Sequence, residues 1–422
     1  MDILVVGGGG REHAIIKKLK ESPLCGQIYC CPGNGGISAD AQCFPIKATD
    51  IEAMVQFAKE KKVELVVVAP DDPLVLGMAD AMRQQGFLVF GPSAKAAAIE
   101  GSKVFSKGLM KKYGIPTASY EVFSDPKQAA EYVTEKNTFP IVIKADGLAL
   151  GKGVIIANSL EEALEGIHSI MEDKIFGKSG NSIVVEEFLT GPEVSVLAFT
   201  DSKVVRPMIS SMDHKRAYDN DQGLNTGGMG TISPNPHYTQ EMAQQAMERI
   251  FLPTIDAMNR EGRPFKGCLY FGLMLTPKGP YVIEYNCRFG DPETQVVLPL
   301  LESDLLTVMQ AVTNGTLADT EVKFSDKNAC CVILASKGYP VKYESGYEIV
   351  LPETKEGEVI YVAGAKKDGD KLLSAGGRVL GVTATGDTLK DAIDRAYDLT
   401  GRVKFDNGFC RKDIGRRALM RK

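Results

Sequence analysis

The stretch EYNCRFGDPE at 284–293 sets a carboxylate, Glu284, two residues before an amide, Asn286, and two more before a guanidinium, Arg288. If it is a strand, a period of two puts all three on one face and Tyr285 and Cys287 on the other. Glu284 and Asn286 then offer two hard oxygen donors, which suits a divalent ion that keeps its other positions for water and phosphate. Arg288 has the planar fork that grips a carboxylate. The competing reading is a surface strand carrying an ion pair.

Two further stretches supply what such a face could work on. KADGLALGKGV at 144–154 ends a strand at Lys144 and continues through Gly147, Gly151 and Gly153, with Lys152 in the loop. Glycines let backbone approach a phosphate and lysines neutralise it, although a lysine beside a glycine hairpin is also a common solvated turn. At 182–187 the side chains of Glu186 and Glu187 point to opposite faces. The segment beyond them could read a base and ribose, through backbone at Leu189 and the carboxylate of Glu193. DHKRAYDNDQGLNTGGMG at 213–230 is too polar and glycine-rich for a buried element. Polar loops of this length inside a folded domain are functional or disordered.

The elements that must position these residues follow in chain order. An apolar run at 3–6 breaks into Gly7, Gly8, Gly9 and Gly10 and continues as helix at 11–19, a strand, turn and helix. Such a turn presents N–H groups to an anion at the positive end of a helix, with Arg11 beside it. The dinucleotide fingerprint G-x-G-x-x-G fails in both registers, which place Glu12 or His13 at the third glycine, and no acidic residue ends the second strand. A nicotinamide-dependent dehydrogenase is therefore disfavoured. Strands at 27–31, 64–69 and 87–90 with helices at 51–61 and 74–85 predict a parallel sheet covered on both faces. A helix at 103–113 follows. Alternating elements from 119 to 187 make a small α+β unit sized for a lid. Strands at 193–200, 203–209, 267–275 and 280–286, with a long helix at 239–260, form the centre. Helices at 294–301 and 305–313 come next, and strands at 330–335, 359–362 and 378–385 with a helix at 388–400 form the end.

Composition narrows the class. At 422 residues the chain is long enough for about three domains. It is 44% hydrophobic and 24% charged with a net charge of −5, which gives no general attraction to nucleic acid or acidic membranes. No apolar run approaches a membrane span and no basic leader precedes the first strand, so a cytoplasmic protein is expected. Nine cysteines without a C-x-x-C pair read as reduced, structural thiols.

Taken together, GGGGREHA at 7–14, Gly101-Ser102-Lys103, KADGLALGKGV, VVEEFLTGPEVS at 184–195, DHKR at 213–216, NTGGMG at 225–230, RFGDPETQ at 288–295, GGRVLGVTATG at 376–386 and DIG at 413–415 resemble, in order and spacing, the phosphoribosylamine–glycine ligase family (glycinamide ribonucleotide synthetases) of the ATP-grasp superfamily. The resemblance implies α/β and α+β multidomain architecture: an N-terminal parallel-sheet domain at 1–101, an ATP-grasp core at 102–118 and 191–325, its lid at 119–190, and a biotin-carboxylase-like C-terminal domain at 326–422. It implies ATP on Lys103, Lys144, the glycine loop, Glu186, Glu187, Leu189 and Glu193, and Mg²⁺ or Mn²⁺ on Glu284 and Asn286. Glycine and 5-phosphoribosylamine would meet Gly8, Gly9, Gly10, Arg11, Asp213, Lys215, Asn225, Thr226, Gly227, Gly228, Met229, Gly230 and Arg288, with Lys144, Lys215, Arg288 and Asp213 nearest the chemistry. No obligate protein partner is evident. Another ATP-grasp purine ligase would differ in the 213–230 loop and around Arg288, and a non-catalytic nucleotide binder would lack the metal pair. Departures from the family pattern are Tyr218 for Gly, Leu224 for Pro, Val362 for His and Lys412 for Arg.

Overall fold

The computed structural model describes residues 1–148 and 153–420. Strand Ile3–Gly7 is buried along its whole length. It lies at the centre of a five-stranded parallel sheet, with Ile28–Pro32 and Gln42–Cys43 on one side and Leu65–Val68 and Leu88–Phe90 on the other. The chain reverses its winding between Ile3–Gly7 and Leu65–Val68, and in such sheets ligands gather beyond the carboxyl ends of the strands at that switch. The Gly7–Gly10 turn and the segment 70–72 lie there. The helix expected over 74–85 is two short ones, Asp71–Val75 and Met78–Gln84, because Gly77 at φ +95° breaks the chain between them.

The central sheet is antiparallel, in the order Val205–Pro207, Glu193–Thr200, Gly267–Thr276 and Gly279–Asn286. Its last pair sets Gly272 opposite Glu284 and Tyr270 opposite Asn286. Tyr285 and Cys287 are buried, as the alternation predicts, while Glu284 and Asn286 are half-exposed on the opposite face. A separate antiparallel sheet of Tyr120–Phe123, Ile183–Glu187, Ile141–Ala145 and Val154–Ala157 carries helices Pro126–Lys136 and Leu160–Met171 and has its own apolar cluster.

The 213–230 loop is more structured than its composition predicts. Strands Arg216–Tyr218 and Gln222–Asn225 form a small hairpin, and the flanks Met212–Asp213 and Gly230–Ser233 join a sheet with Asn328–Ser336, Arg378–Gly386 and Glu358–Val362. The loop is therefore anchored at both ends to the sheet built by the C-terminal third of the chain. Among the described residues no helix is long and apolar enough to cross a membrane.

Candidate active site

Strand Gly279–Asn286 provides the floor. The Glu284 carboxylate faces Lys215, whose Nζ is 3.8 Å from Oε1 and 3.4 Å from a carboxylate oxygen of Glu193. Burial would push the Glu284 carboxyl up, but Lys215, Lys144, Lys103 and Arg288 outweigh it and hold the group below its ordinary value. Three lysines from three elements thus aim positive charge at one carboxylate. Lys144 also donates to the Ile283 carbonyl at 3.0 Å, which ties the end of a lid strand to this floor. Lys103 donates to the Gly147 carbonyl at 2.8 Å, at the base of the glycine loop. Gly147 sits at φ +109° with Ser179 packed where a side chain would go. Gly153 accepts from the Ala145 N–H at 2.9 Å, closing the hairpin, whereas Gly151 and Lys152 lie outside the described residues.

The Glu186 carboxylate is held inside the protein. It is buried between Lys107, 3.0 Å away, and Lys144, 3.1 Å away, while Lys107 also donates to Thr117. Lys107 is a buried cation that the sequence reading missed; desolvation pulls it down to about 8 although Glu186 pushes the other way. Glu187 is exposed, accepts from the Ser119 N–H at 3.0 Å, and lies beside half-buried Leu189 where the lid rejoins the core.

Asp213 is held on the other side of Lys215. Burial and the nearby Glu293 raise its carboxyl well above the usual range, and it accepts from the His214 N–H at 2.7 Å. Ser195, Tyr270 and Glu293 form a buried network behind it, with Tyr270 donating to Glu293 at 3.1 Å and sharing a 2.8 Å hydrogen bond with Ser195. Glu193, Ser195, Asp213, Lys215, Tyr270 and Glu284 line one small pocket. The loop beyond follows: Thr226 bonds back to Lys215, the N–H of Met229 donates to the His214 carbonyl, and Gly228 passes close to the Asp213 carboxylate. Asn225 closes the hairpin opposite Arg216, and Gly230, at φ +156°, packs against Cys331 and Ile414. Arg378, from a motif quoted above but given no role there, donates to the carbonyls of Gly227 and Asp291, each at 2.7 Å. One guanidinium thereby joins the NTGGMG loop to the RFGDPETQ turn.

Arg288 faces the parallel sheet. Its Nη2 donates to Glu100 at 2.8 Å and to Asn286 at 3.3 Å and lies 3.6 Å from Asp71, while its Nε is buried without a partner. Burial opposes its charge, but Glu100 and Asp71 outweigh that and push its pKa up. At the glycine turn, the Gly9 N–H is taken by the Glu12 carboxylate at 2.5 Å, and Arg11 is turned to Glu12 at 2.7 Å and to the Phe289 carbonyl at 3.2 Å. Gly8 is filled by Gly33, and Gly10 by Gln295 with Asp291 nearby. The turn thus has two carboxylates and one guanidinium beside it, and its Gly9 N–H is already taken. Tyr218 packs on Phe409 at the exposed hairpin, and Val362 is buried against Gly36, with its N–H donating to His13.

The donor set fits a divalent cation. Glu284 and Asn286 give two oxygens on one face, and among the described residues no group of three or more His, Cys, Asp or Glu side chains makes a closed metal cage. Two protein oxygens with the remainder from phosphate and water is the way a small hard cation is held beside a nucleotide.

The family models for phosphoribosylglycinamide synthetase match as the N domain at 1–100, the ATP-grasp (A) domain at 101–294 and the C domain at 329–417. A phosphoribosylamine–glycine ligase of Caldanaerobacter subterraneus is 46% identical over 98% of this chain and 99% of its own. That of Agrobacterium fabrum is 47% identical over 100% and 99%. The crystal structure of the Thermotoga maritima phosphoribosylamine–glycine ligase superposes with a TM-score of 0.87 at 34% identity, covering 98% of this chain and 100% of that one. The biotin carboxylase domain of Hydrogenobacter thermophilus 2-oxoglutarate carboxylase shares the fold, with a TM-score of 0.74 at 17% identity over 97% and 91%. The chain therefore belongs to the phosphoribosylglycinamide synthetase family, in which an ATP-grasp domain is set between an N and a C domain.

Proposed function

We propose that the floor at Glu284 and Asn286, with Lys103, Lys144 and Lys215 aimed at it, is where this ATP-dependent ligase joins glycine to 5-phosphoribosylamine, giving glycinamide ribonucleotide, ADP and phosphate. A carboxylate does not acylate an amine in water without a better leaving group. Attack of the glycine carboxylate on the γ-phosphate of ATP forms glycyl phosphate and releases ADP. The phosphoribosylamine nitrogen then attacks the acyl carbon, the C–O bond to phosphate breaks, and the amine loses a proton.

Phosphoryl transfer depends mainly on positioning and on spreading negative charge. Lys144, Lys215 and Lys103 supply that charge; no side-chain nucleophile is needed. Glu284 and Asn286 would hold Mg²⁺ or Mn²⁺, which supplies charge neutralisation at the phosphates. Arg288 would orient the glycine carboxylate through the edge it does not spend on Glu100. Asp213, beside Lys215 and the NTGGMG loop, would bind the amine side of the substrates. The carboxylates at the Gly8–Arg11 turn suit the ribose hydroxyl groups of phosphoribosylamine better than its phosphate. The lid strand carrying Lys144, with Glu187 and Leu189 at its junction with the core, would cover ATP and keep water from the acyl phosphate. We read the units as 1–101, 102–118 with 191–325, 119–190, and 326–422.

The observation that carries this reading is the meeting of Glu284, Lys215, Glu193 and Asp213 in one pocket, with Lys144 tied to the adjacent Ile283 carbonyl. Release of ADP in the presence of ATP, Mg²⁺, glycine and freshly generated phosphoribosylamine, each omitted in turn, tests it. ADP release that continues at the full rate without glycine overturns it.

A further inference from the structure

Two cysteine sulfurs lie beneath the glycine turn. Strands Ile28–Pro32 and Gln42–Cys43 pair in parallel with Cys30 opposite Cys43. Both are free thiols: Cys30 is buried, and Cys43 is half-buried. Cys43 lines a cavity of about 410 Å³ together with Gly8, Gly33, Asn34, Ala363 and Lys366. A side chain at Gly33 would start 2.4 Å from the Cys43 sulfur and 3.6 Å from that of Cys30, so both sulfurs pack under one glycine. Gly33, at φ +71°, donates to the Gly7 carbonyl at 3.1 Å, and its own carbonyl lies 2.4 Å from where a Gly8 side chain would begin. The Cys30 thiol donates to the same Gly7 carbonyl at 3.2 Å. Close packing therefore runs from the Cys43 sulfur through Gly33 to Gly8 along one wall of that cavity.

We propose that Cys43 is an oxidant-modification site, with Cys30 as its resolving thiol, and that its oxidation by peroxide displaces Gly33 and disables the Gly8–Arg11 turn. Redox-sensing cysteines combine thiolate character, solvent access and a neighbouring thiol. The neighbouring Cys30 thiol holds the Cys43 thiol down to about 7 against desolvation, helped by the Asn34 N–H. Burial raises Cys25 and Cys410, the other two cysteines that are not buried. Adjacent strands run about 4.8 Å apart, within the roughly 4.4–6.8 Å Cα separation that a disulfide spans.

The Cys43 thiolate attacks one oxygen of hydrogen peroxide. The S–O bond forms, the O–O bond breaks, and the departing hydroxide takes a proton to become water. The Cys30 sulfur then attacks the Cys43 sulfur; the S–S bond forms, the S–O bond breaks, and a second water leaves with the Cys30 proton. The two thiols lose two electrons and the peroxide gains them. An oxygen or a second sulfur bonded to the Cys43 sulfur changes the packing against Gly33, and a shift of Gly33 reaches Gly8, which its carbonyl abuts.

The test uses the reduced full-length protein, graded hydrogen peroxide, an N-ethylmaleimide quench and non-reducing peptide mapping by mass spectrometry. The expected result is a linked Cys30–Cys43 peptide that rises in step with a loss of ligase activity of about tenfold or more, both reversed by dithiothreitol. Cys30→Ser should trap Cys43 as a dimedone-reactive sulfenic acid, and Cys43→Ser should keep its activity under the same dose. The activity arm rests on the role given above to the glycine turn; the peptide map does not. Oxidation that reaches Cys25 or Cys410 while Cys43 stays reduced overturns the site, and a fully linked peptide with unchanged activity overturns its coupling to the turn. If Cys43→Ser does not fold, the wild-type map decides.

Discussion

The Arg288 guanidinium, at the end of the central floor, donates to the Glu100 carboxylate at 2.8 Å, and Glu100 also accepts the Cys287 N–H at 2.7 Å. Glu100 stands on helix Ala94–Gly101, which follows the parallel sheet, so one buried carboxylate fixes both the backbone at Cys287 and the Arg288 side chain. Removing Arg288 would leave Glu100 buried and unpaired, a change that costs about 3–5 kcal/mol. Arg288→Lys keeps the charge but loses the fork. That variant is expected to raise the glycine KM or lower kcat about tenfold or more while the ATP KM changes little. Steady-state kinetics with each substrate varied checks this; an unchanged glycine dependence removes Arg288 from that role.

The Glu284 side chain is about a third exposed, at 35%, so its loss should not disturb packing. Glu284→Ala is expected to lower kcat by about 10²–10³ and to leave the thermal midpoint close to that of the parent. Turnover against Mg²⁺ concentration, paired with a melting curve, separates the two effects. Parent-like rates at low Mg²⁺ would exclude Glu284 as a metal ligand.

Much of this was legible before any coordinates. The period of two placed Glu284 and Asn286 on one face and Tyr285 and Cys287 in the core because strand geometry leaves no choice once one residue is assigned. The glycine turn was legible as a turn, but not that Glu12 would cap it, since a carboxylate three residues into a helix is also an ordinary first-turn acid. The pairing of Glu186 with Lys107 was not legible, because Lys107, on a helix whose other lysines are exposed or half-exposed, carries no signal of burial. Glu100 and Arg378 act through partners about 190 and 90–150 residues away, and pairing over such distances leaves no local pattern. Composition alone makes 213–230 a loop, yet its flanks are strands because the sheet of the C-terminal third supplies the pairing.

Glu186 is bracketed by two lysines, both nearly inaccessible to solvent. Lys107→Met removes one of them and leaves the carboxylate with Lys144 alone, which is expected to cost about 3 kcal/mol or more of stability. Drawn closer to Glu186, Lys144 would be less available to phosphate, so the ATP KM should rise as well. Urea unfolding together with ATP-dependent kinetics checks both. A stable variant with unchanged ATP affinity would show that the bracket does not hold Lys144 in place.

His214 links the central loop to the C-terminal sheet in its neutral form. Its Nε2 accepts the Gly415 N–H at 3.1 Å, and its Nδ1, 3.2 Å from the Gly230 carbonyl, is then the nitrogen that carries the proton. Desolvation, with Arg411 and Arg417 nearby, pulls it from 6.5 down to about 4. Below pH 6.5 the unfolded chain takes up a proton that the folded chain refuses. The stability difference is therefore fully present above that value and is lost as pH falls toward about 4, by on the order of 3 kcal/mol at most. His214→Gln cannot titrate, so the difference in unfolding free energy between the parent and the variant should shrink across that window and stay flat above pH 7. Chemical denaturation of both proteins at pH 7.5, 6, 5 and 4.5 measures it. A difference independent of pH would mean that His214 titrates in the folded protein as it does in the unfolded chain.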